Sequence, residues 1–490
     1  MRTVGNRRTT GHRRSGVVLV VLALLAGIAS CSSSSTGTAE RSSLRLLGPG
    51  SVVNAVRTKN SPVLVQASVS VSSPDHDVEL QLKRKDGKSA LSVSRSDGVG
   101  AGKTTPLPAG LVDFGGIDRF AHYSVTGPNN TEVLDADLSW CPANPRTKVG
   151  PGRSNLVYPD SCNSSPFASA VVWGIEQGWA SVAPLAFNLH GPDGTYRVSV
   201  TVVSAVANAL GFADDARTAT FDVALRTDPT ATTTPTPVSD TPNASPLESA
   251  ADHPRPDPRL GQVTPPVDTL PDLRPLPAYG ISATVDNSTA LLNFNASVWN
   301  AGAPFIVEGY RRDAAETMDA VQLFYRGGLL VASRPIGTFE YHAGGGHNHW
   351  HFLDFVRYDL VNDSAQVVAT SGKQAWCLAN TTAVDLLTPG TNLRPGSTAL
   401  STACGPESAR FLRESLLSGW GDTYSQAVSG QALDISSVAN GHYELVITTN
   451  PVGRFLETSS GPETSRRALD LGGPAGARTV VVPPIDGVSA

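Results

Sequence analysis

One stretch, Tyr341-His-Ala-Gly-Gly-Gly-His-Asn-His-Trp-His351, limits what this chain can fold into more than any other. Four of the ten histidines in 490 residues fall inside it: His342, His347, His349 and His351. The last three alternate as H-x-H-x-H. Successive side chains of a β-strand point to opposite faces, so residues 347, 349 and 351 share a face only if the backbone is extended. On a helix the same spacing splays them around the axis. Three imidazoles facing one way can reach a single metal ion through ring nitrogens at roughly 2 Å. Nitrogen-only ligation suits copper or zinc, not magnesium or calcium. His342 is a further candidate ligand. A surface histidine cluster without a role is the competing reading, and it sits badly with a chain so poor in histidine elsewhere.

The rest of the chain supports an extended backbone. It has 46 glycines, 36 prolines and only 6% aromatic residues, and no long apolar segment keeps a helical period. Apolar and polar residues alternate instead over Val63–Val71, Val78–Lys83, Val133–Trp140, Tyr196–Val203 and Ala219–Leu225, with turn residues between them. That is the pattern of a β-sandwich over residues 44–226. His76, His122 and His190 are isolated in this part, which carries no chemical motif and no assignable role beyond binding or spacing. Residues 227–267 are dense in Pro and Thr and read as a linker with little to bury. A second β domain is expected over 268–472, with strands including Leu291–Trp299, Ala320–Tyr325, Phe352–Leu360, Gln366–Ser371 and Tyr443–Thr448. The Gly/Pro-rich residues 473–490 are expected to be a disordered tail. The expected class is therefore all-β, a sandwich-like domain on either side of the linker.

Five arginines precede an apolar run, Val17 to Ala29. This run is shorter than the ~20 residues that span a bilayer, so residues 1–30 read as a signal peptide. It ends in Ile28-Ala29-Ser30-Cys31, which resembles the lipobox of bacterial lipoproteins. The resemblance implies lipidation of Cys31, a Ser-rich tether over 31–43, and a place on the outer face of the cell membrane, or secretion. Of five cysteines, this leaves Cys141, Cys162, Cys377 and Cys404. In an oxidising compartment the local pairs 141–162 and 377–404 are expected as disulfides. Zinc binding by the four is the alternative, without C-x-x-C spacing to support it. A net charge of −5 with no basic patch gives no reason to expect a nucleic-acid partner.

Seven lysines are present, and Lys373 is the only one after residue 148. Arginine supplies the remaining positive charge there, and it stays protonated. A lysine can be desolvated and used as a neutral amine nucleophile.

These features meet in a resemblance. Leu270-Pro-Asp-Leu-Arg-Pro275, the stretch from His342 to Asp359, Gly372-Lys-Gln-Ala-Trp-Cys-Leu378, Asp422-Thr-Tyr424 and Gly441 to Pro451 resemble, in order, motifs of the lysyl oxidase catalytic domain. The resemblance covers about 200 residues and none of 31–265. It implies copper on His347, His349 and His351, and a lysine tyrosylquinone built from Lys373 and Tyr424. There are departures. His342 lies five residues before His347 instead of three. Arg357 replaces a histidine to which a base role has been given. The interval from Lys373 to Tyr424 is longer than in animal members.

The expected activity is copper- and quinone-dependent oxidation of primary amines, small or peptidyl lysine, to aldehydes. Molecular oxygen is the oxidant, and hydrogen peroxide and ammonia are released. Asp354 is a candidate general base, or an outer partner that fixes an imidazole tautomer. A non-catalytic copper-binding surface lipoprotein would keep the histidines and need neither Lys373 nor Tyr424. A zinc hydrolase would need a nearby glutamate base, and only Glu340 is at hand, without H-E-x-x-H.

Overall fold

Strands form where side chains alternate, and the computed structural model is all-β as expected, with one short helix, Ser204–Leu210, among the described residues. The structure describes residues 44–59, 61–85, 91–97, 104–230, 253–286, 288–312, 316–343, 348–372, 374–397, 404–427, 430–474 and 476–488. The expected signal peptide and tether with Cys31, most of the expected linker, His347 and Lys373 lie outside them. No helix among the described residues is long and apolar enough to cross a membrane.

Residues 44–227 form three sheets around one core. Val63–Ser73 pairs antiparallel with Trp179–Leu189, Val78–Arg84 with Ala170–Ile175, and Gly194–Val202 with both Ile117–Thr126 and Thr218–Thr227. Val69, Val71, Phe120, Trp173, Val198 and Val223 are buried between them. Cys141 and Cys162 are bonded, as expected, beside this core.

Residues 273–481 form three more sheets around a second core that includes Phe294, Phe305, Trp350, Phe352, Tyr358 and Trp376. Leu329–His342 hydrogen-bonds both Thr317–Arg326 and the short strand His349–Phe352. Thr289–Asn300 carries Trp420–Tyr424 on one edge. The tail read as disordered instead includes a strand, Thr479–Val481, paired with Glu463–Gly472. Val480 and Val482 pack against the second core and hold it there.

The two cores are joined through one segment. The Ser169 and Ala170 amides both donate to the Val384 carbonyl, at 2.8 and 3.0 Å, and the Leu386 amide donates to Ala170. Ala383, Leu386, Leu417 and Trp420 pack into the first core. Thr382–Ala383 pairs in turn with Trp420–Tyr424. The N-terminal half thus buttresses the strand that bears Tyr424. The last part of the expected linker is also fixed. His253 stacks on Phe411 with centroids 4.0 Å apart, and Arg255 bonds Asp319 at 2.9 Å.

Candidate metal and tyrosine site

The Gly-rich stretch of the sequence separates two antiparallel strands, and their register decides which histidines meet. His342 stands directly opposite His349, and Glu340 opposite His351. Opposed residues share a face, and so do residues two apart, so His342, His349 and His351 lie on one side of the ribbon. The rings confirm it. His351 meets His342 with centroids 4.4 Å apart and His349 at 4.6 Å, both edge to face. His351 is fully buried, and the other two are half-buried. The described strand begins at His349, two residues after His347. The donor set is all imidazole, with one ring shielded from water, and it fits copper or zinc.

Asp354 lies outside the strand. Its φ of 56° is left-handed, a conformation that Asp tolerates, and its carboxylate pairs with Arg454 at 2.6 Å. The stretch Phe352–Leu360, expected as one strand, is therefore two, His349–Phe352 and Val356–Asn362, separated by this turn.

Tyr424 is held from three sides. Its strand pairs Ala296 with Tyr424. Its ring stacks on Trp376 with centroids 4.5 Å apart and planes 25° apart. Its hydroxyl accepts the Cys377 amide at 2.7 Å. Burial, then the Asp422 carboxylate, pushes its phenol well above the ordinary tyrosine range. The phenol is therefore neutral around pH 7. Trp376 also donates its indole N–H to the Tyr358 hydroxyl at 3.0 Å.

The segment around Trp376 links the tyrosine to the histidines. Phe352, next to His351, exchanges both backbone hydrogen bonds with Trp376, at 2.7 and 3.0 Å. The Phe355 amide donates to Gln374, and the Ser371 amide to Tyr358. Residues on either side of position 373 are thus anchored along 352–358, while Lys373 itself lies outside the described residues. Cys377 is bonded to Cys404, the second expected pair, and the Cys404 carbonyl accepts the Trp350 amide at 2.9 Å.

Sequence reasoning passed over Glu414, and no spacing signal pointed to it. It is fully buried, and Oε2 accepts the Leu378 amide at 2.8 Å. A Glu414 carboxyl oxygen lies within 4.8 Å of the sulfurs of both Cys377 and Cys404. The sulfurs are bonded to each other and are not thiolate ligands, so this group is no metal centre.

Residues 331–469 match the family described as lysyl oxidase, and the expected likeness to that family is borne out. The chain is 30% identical over 192 residues to the protein-lysine 6-oxidase of Bos taurus, a match covering 37% of this chain and 41% of that one. It is 29% identical to the protein-lysine 6-oxidase of Sus scrofa, covering 37% and 69%. It is 27% identical over 196 residues to the lysyl oxidase homolog 1 of Homo sapiens, covering 39% and 31%. The chain thus spans about two fifths of the length of the bovine relative it matches.

Proposed function

We propose that the lysyl oxidase segment of this chain is a copper- and quinone-dependent amine oxidase. It would convert primary amines, small or peptidyl lysine, to aldehydes with release of hydrogen peroxide and ammonia. His347, His349 and His351 would hold copper, with His342 as a further ligand, and Tyr424 and Lys373 would form the quinone. When bound, these groups would supply the two-electron transfer from amine to molecular oxygen.

The chain's own residues prepare the site. Trp376 fixes the plane of the Tyr424 ring, and the Cys377 N–H fixes the direction of its hydroxyl. The buried surroundings keep water from that ring and the phenol protonated at Oη. One observation carries the reading. The residue beside His351 is bonded through its backbone to the tryptophan that stacks on Tyr424. A metal-binding surface protein without oxidase activity has no use for that link.

Lys373→Arg keeps a positive charge but offers no neutral amine, and Tyr424→Phe lacks the oxidisable hydroxyl. Both should bind copper normally while losing the branched Lys373–Tyr424 tryptic peptide and amine-dependent peroxide production. Full oxidase activity in Lys373→Arg would overturn the quinone mechanism. We also propose that Cys31 carries a lipid anchor on the outer face of the membrane. Cys31→Ala should then move the protein from the membrane to the soluble fraction.

A further inference from the structure

Glu414 is a buried acid that the proposed oxidation does not employ. Its Oε2 is held by the Leu378 amide, one residue beyond Cys377. Its Oε1 is buried without a hydrogen-bond partner. A buried carboxyl oxygen with no partner is costly unless something offsets it. Its surroundings are the two sulfurs of Cys377–Cys404, both within 4.8 Å of a carboxyl oxygen. Both cysteines are half-buried, while the acid beside them is fully buried.

We propose that Cys377–Cys404 is a thiol–disulfide exchange site, opened by a dithiol reductant, with Glu414 as the acid that protonates the departing sulfur. In the first step a reductant thiolate attacks one sulfur and the Cys377–Cys404 bond breaks. The electron pair of that bond leaves on the other sulfur, which takes the proton of the Glu414 carboxyl. In the second step the reductant's second thiol resolves the mixed disulfide and releases the remaining cysteine. The reductant ends as a disulfide, two electrons and two protons have passed to the protein, and Glu414 regains its proton from solvent.

The chemistry requires that Glu414 hold a proton at neutral pH. Burial pushes it well above the usual carboxylate range, the Leu378 amide opposes this, and the Asp422 charge adds to it. The titratable groups that face it among the described residues are Asp422 and Tyr424, with Tyr358 beyond them. Both tyrosines are neutral near pH 7, so Asp422 is the charge that adds to burial in keeping Glu414 protonated.

Opening the bond has a structural consequence. Cys404 holds the Trp350 amide between two of the site histidines, and Cys377 holds the Tyr424 hydroxyl. The disulfide therefore ties the histidine strand to the tyrosine, and its state bears on both.

Cys141–Cys162 is an internal comparator. Its cysteines are also half-buried, and among the described residues no third metal-ligand-type group lies as close to both sulfurs. The full-length protein should be treated with dithiothreitol, quenched by alkylation, and its thiols located by peptide mass. Cys377–Cys404 should open about 100-fold faster than Cys141–Cys162, or more, the scale of assistance from a positioned acid. Glu414→Gln keeps an acceptor for Leu378 but has no proton to give. It should remove that advantage and leave the Cys141–Cys162 rate unchanged, while Glu414→Asp should restore part of it. An unchanged Cys377–Cys404 rate in Glu414→Gln, or prior opening of Cys141–Cys162 in the wild type, overturns the proposal.

The wild type supplies a test that needs no variant. The ratio of the two opening rates cancels the ionisation of the reductant. It should fall as pH is raised through the titration of Glu414. A ratio independent of pH would show that Glu414 donates no proton.

Discussion

Trp376 and Tyr424 stack with their rings 4.5 Å apart, and the amide that follows the tryptophan donates to the tyrosine's hydroxyl. One short segment thus sets both the plane and the direction of the phenol. Trp376 is itself fully buried. Trp376→Ala should leave a cavity and lower stability by about 3–5 kcal/mol in denaturant unfolding. Trp376→Phe keeps an aromatic face and should cost less. If the stack positions Tyr424 for the proposed cross-link, the yield of Lys373–Tyr424 peptide should fall in Trp376→Phe even where the protein remains folded. An undiminished yield would limit Trp376 to packing.

The histidines make separable predictions. His351 meets both His342 and His349 and is shielded from water. His351→Ala or His349→Ala should abolish stoichiometric copper binding. His342 reaches the cluster from the neighbouring strand, opposite His349. His342→Ala should weaken copper by about 10–100-fold, the range seen when a supporting group is lost. Competition with a chelator of known affinity measures it. Wild-type affinity in His342→Ala would remove that residue from the site.

Much of this was legible in the sequence where one face of a strand is buried and the other is wet. Val63–Val71 is observed as Val63–Ser73, Ala320–Tyr325 as Thr317–Arg326, and Tyr443–Thr448 as Gly441–Thr449. Strands with both faces covered gave no alternation to read. Ala170–Ile175 is buried at every position, and Phe305–Arg311 at all but the last. Phe411–Leu416, which carries Glu414, is of the same kind. The break at Leu353–Phe355 was hidden because an Asp in a left-handed turn leaves no mark among apolar neighbours. His342 could be listed as a candidate, but only the register across the Gly-rich region brings it opposite His349.

Asp354 is a candidate base whose place in the structure argues for another role. Its carboxylate is engaged by Arg454, and both side chains are partly exposed. Asp354→Asn preserves the residue's tolerance of φ near 56° and removes the ion pair. It should cost no more than about 1 kcal/mol. Amine-dependent peroxide production should fall by less than about tenfold, well short of the 100-fold or greater loss expected for a general base. A loss on that larger scale, with the cross-link intact, would restore Asp354 as the base.

Glu457 gives a prediction about stability and pH. It is buried at 8% exposure and accepts the Asn450 side-chain amide at 2.9 Å and the Leu273 amide at 3.3 Å. It thereby joins the Leu-Pro-Asp-Leu opening of the second β half to the Asn-Pro turn near its end. Burial pushes its carboxyl from 4.5 up to about 7, against the pull of those two hydrogen bonds, and Glu463 and Asp272 add to the rise. An acid with a raised folded value binds its proton more tightly folded than unfolded. Its stabilising effect is therefore complete below 4.5 and is lost as pH rises through about 7. The full difference is of order 3 kcal/mol, at about 1.4 kcal/mol per unit. Glu457→Gln cannot ionise and should flatten this part of the profile. The variant should match or fall slightly below the wild type in acid, and overtake it above neutrality. Thermal unfolding of both proteins across this window decides the matter, and parallel pH profiles would show that Glu457 does not set the slope.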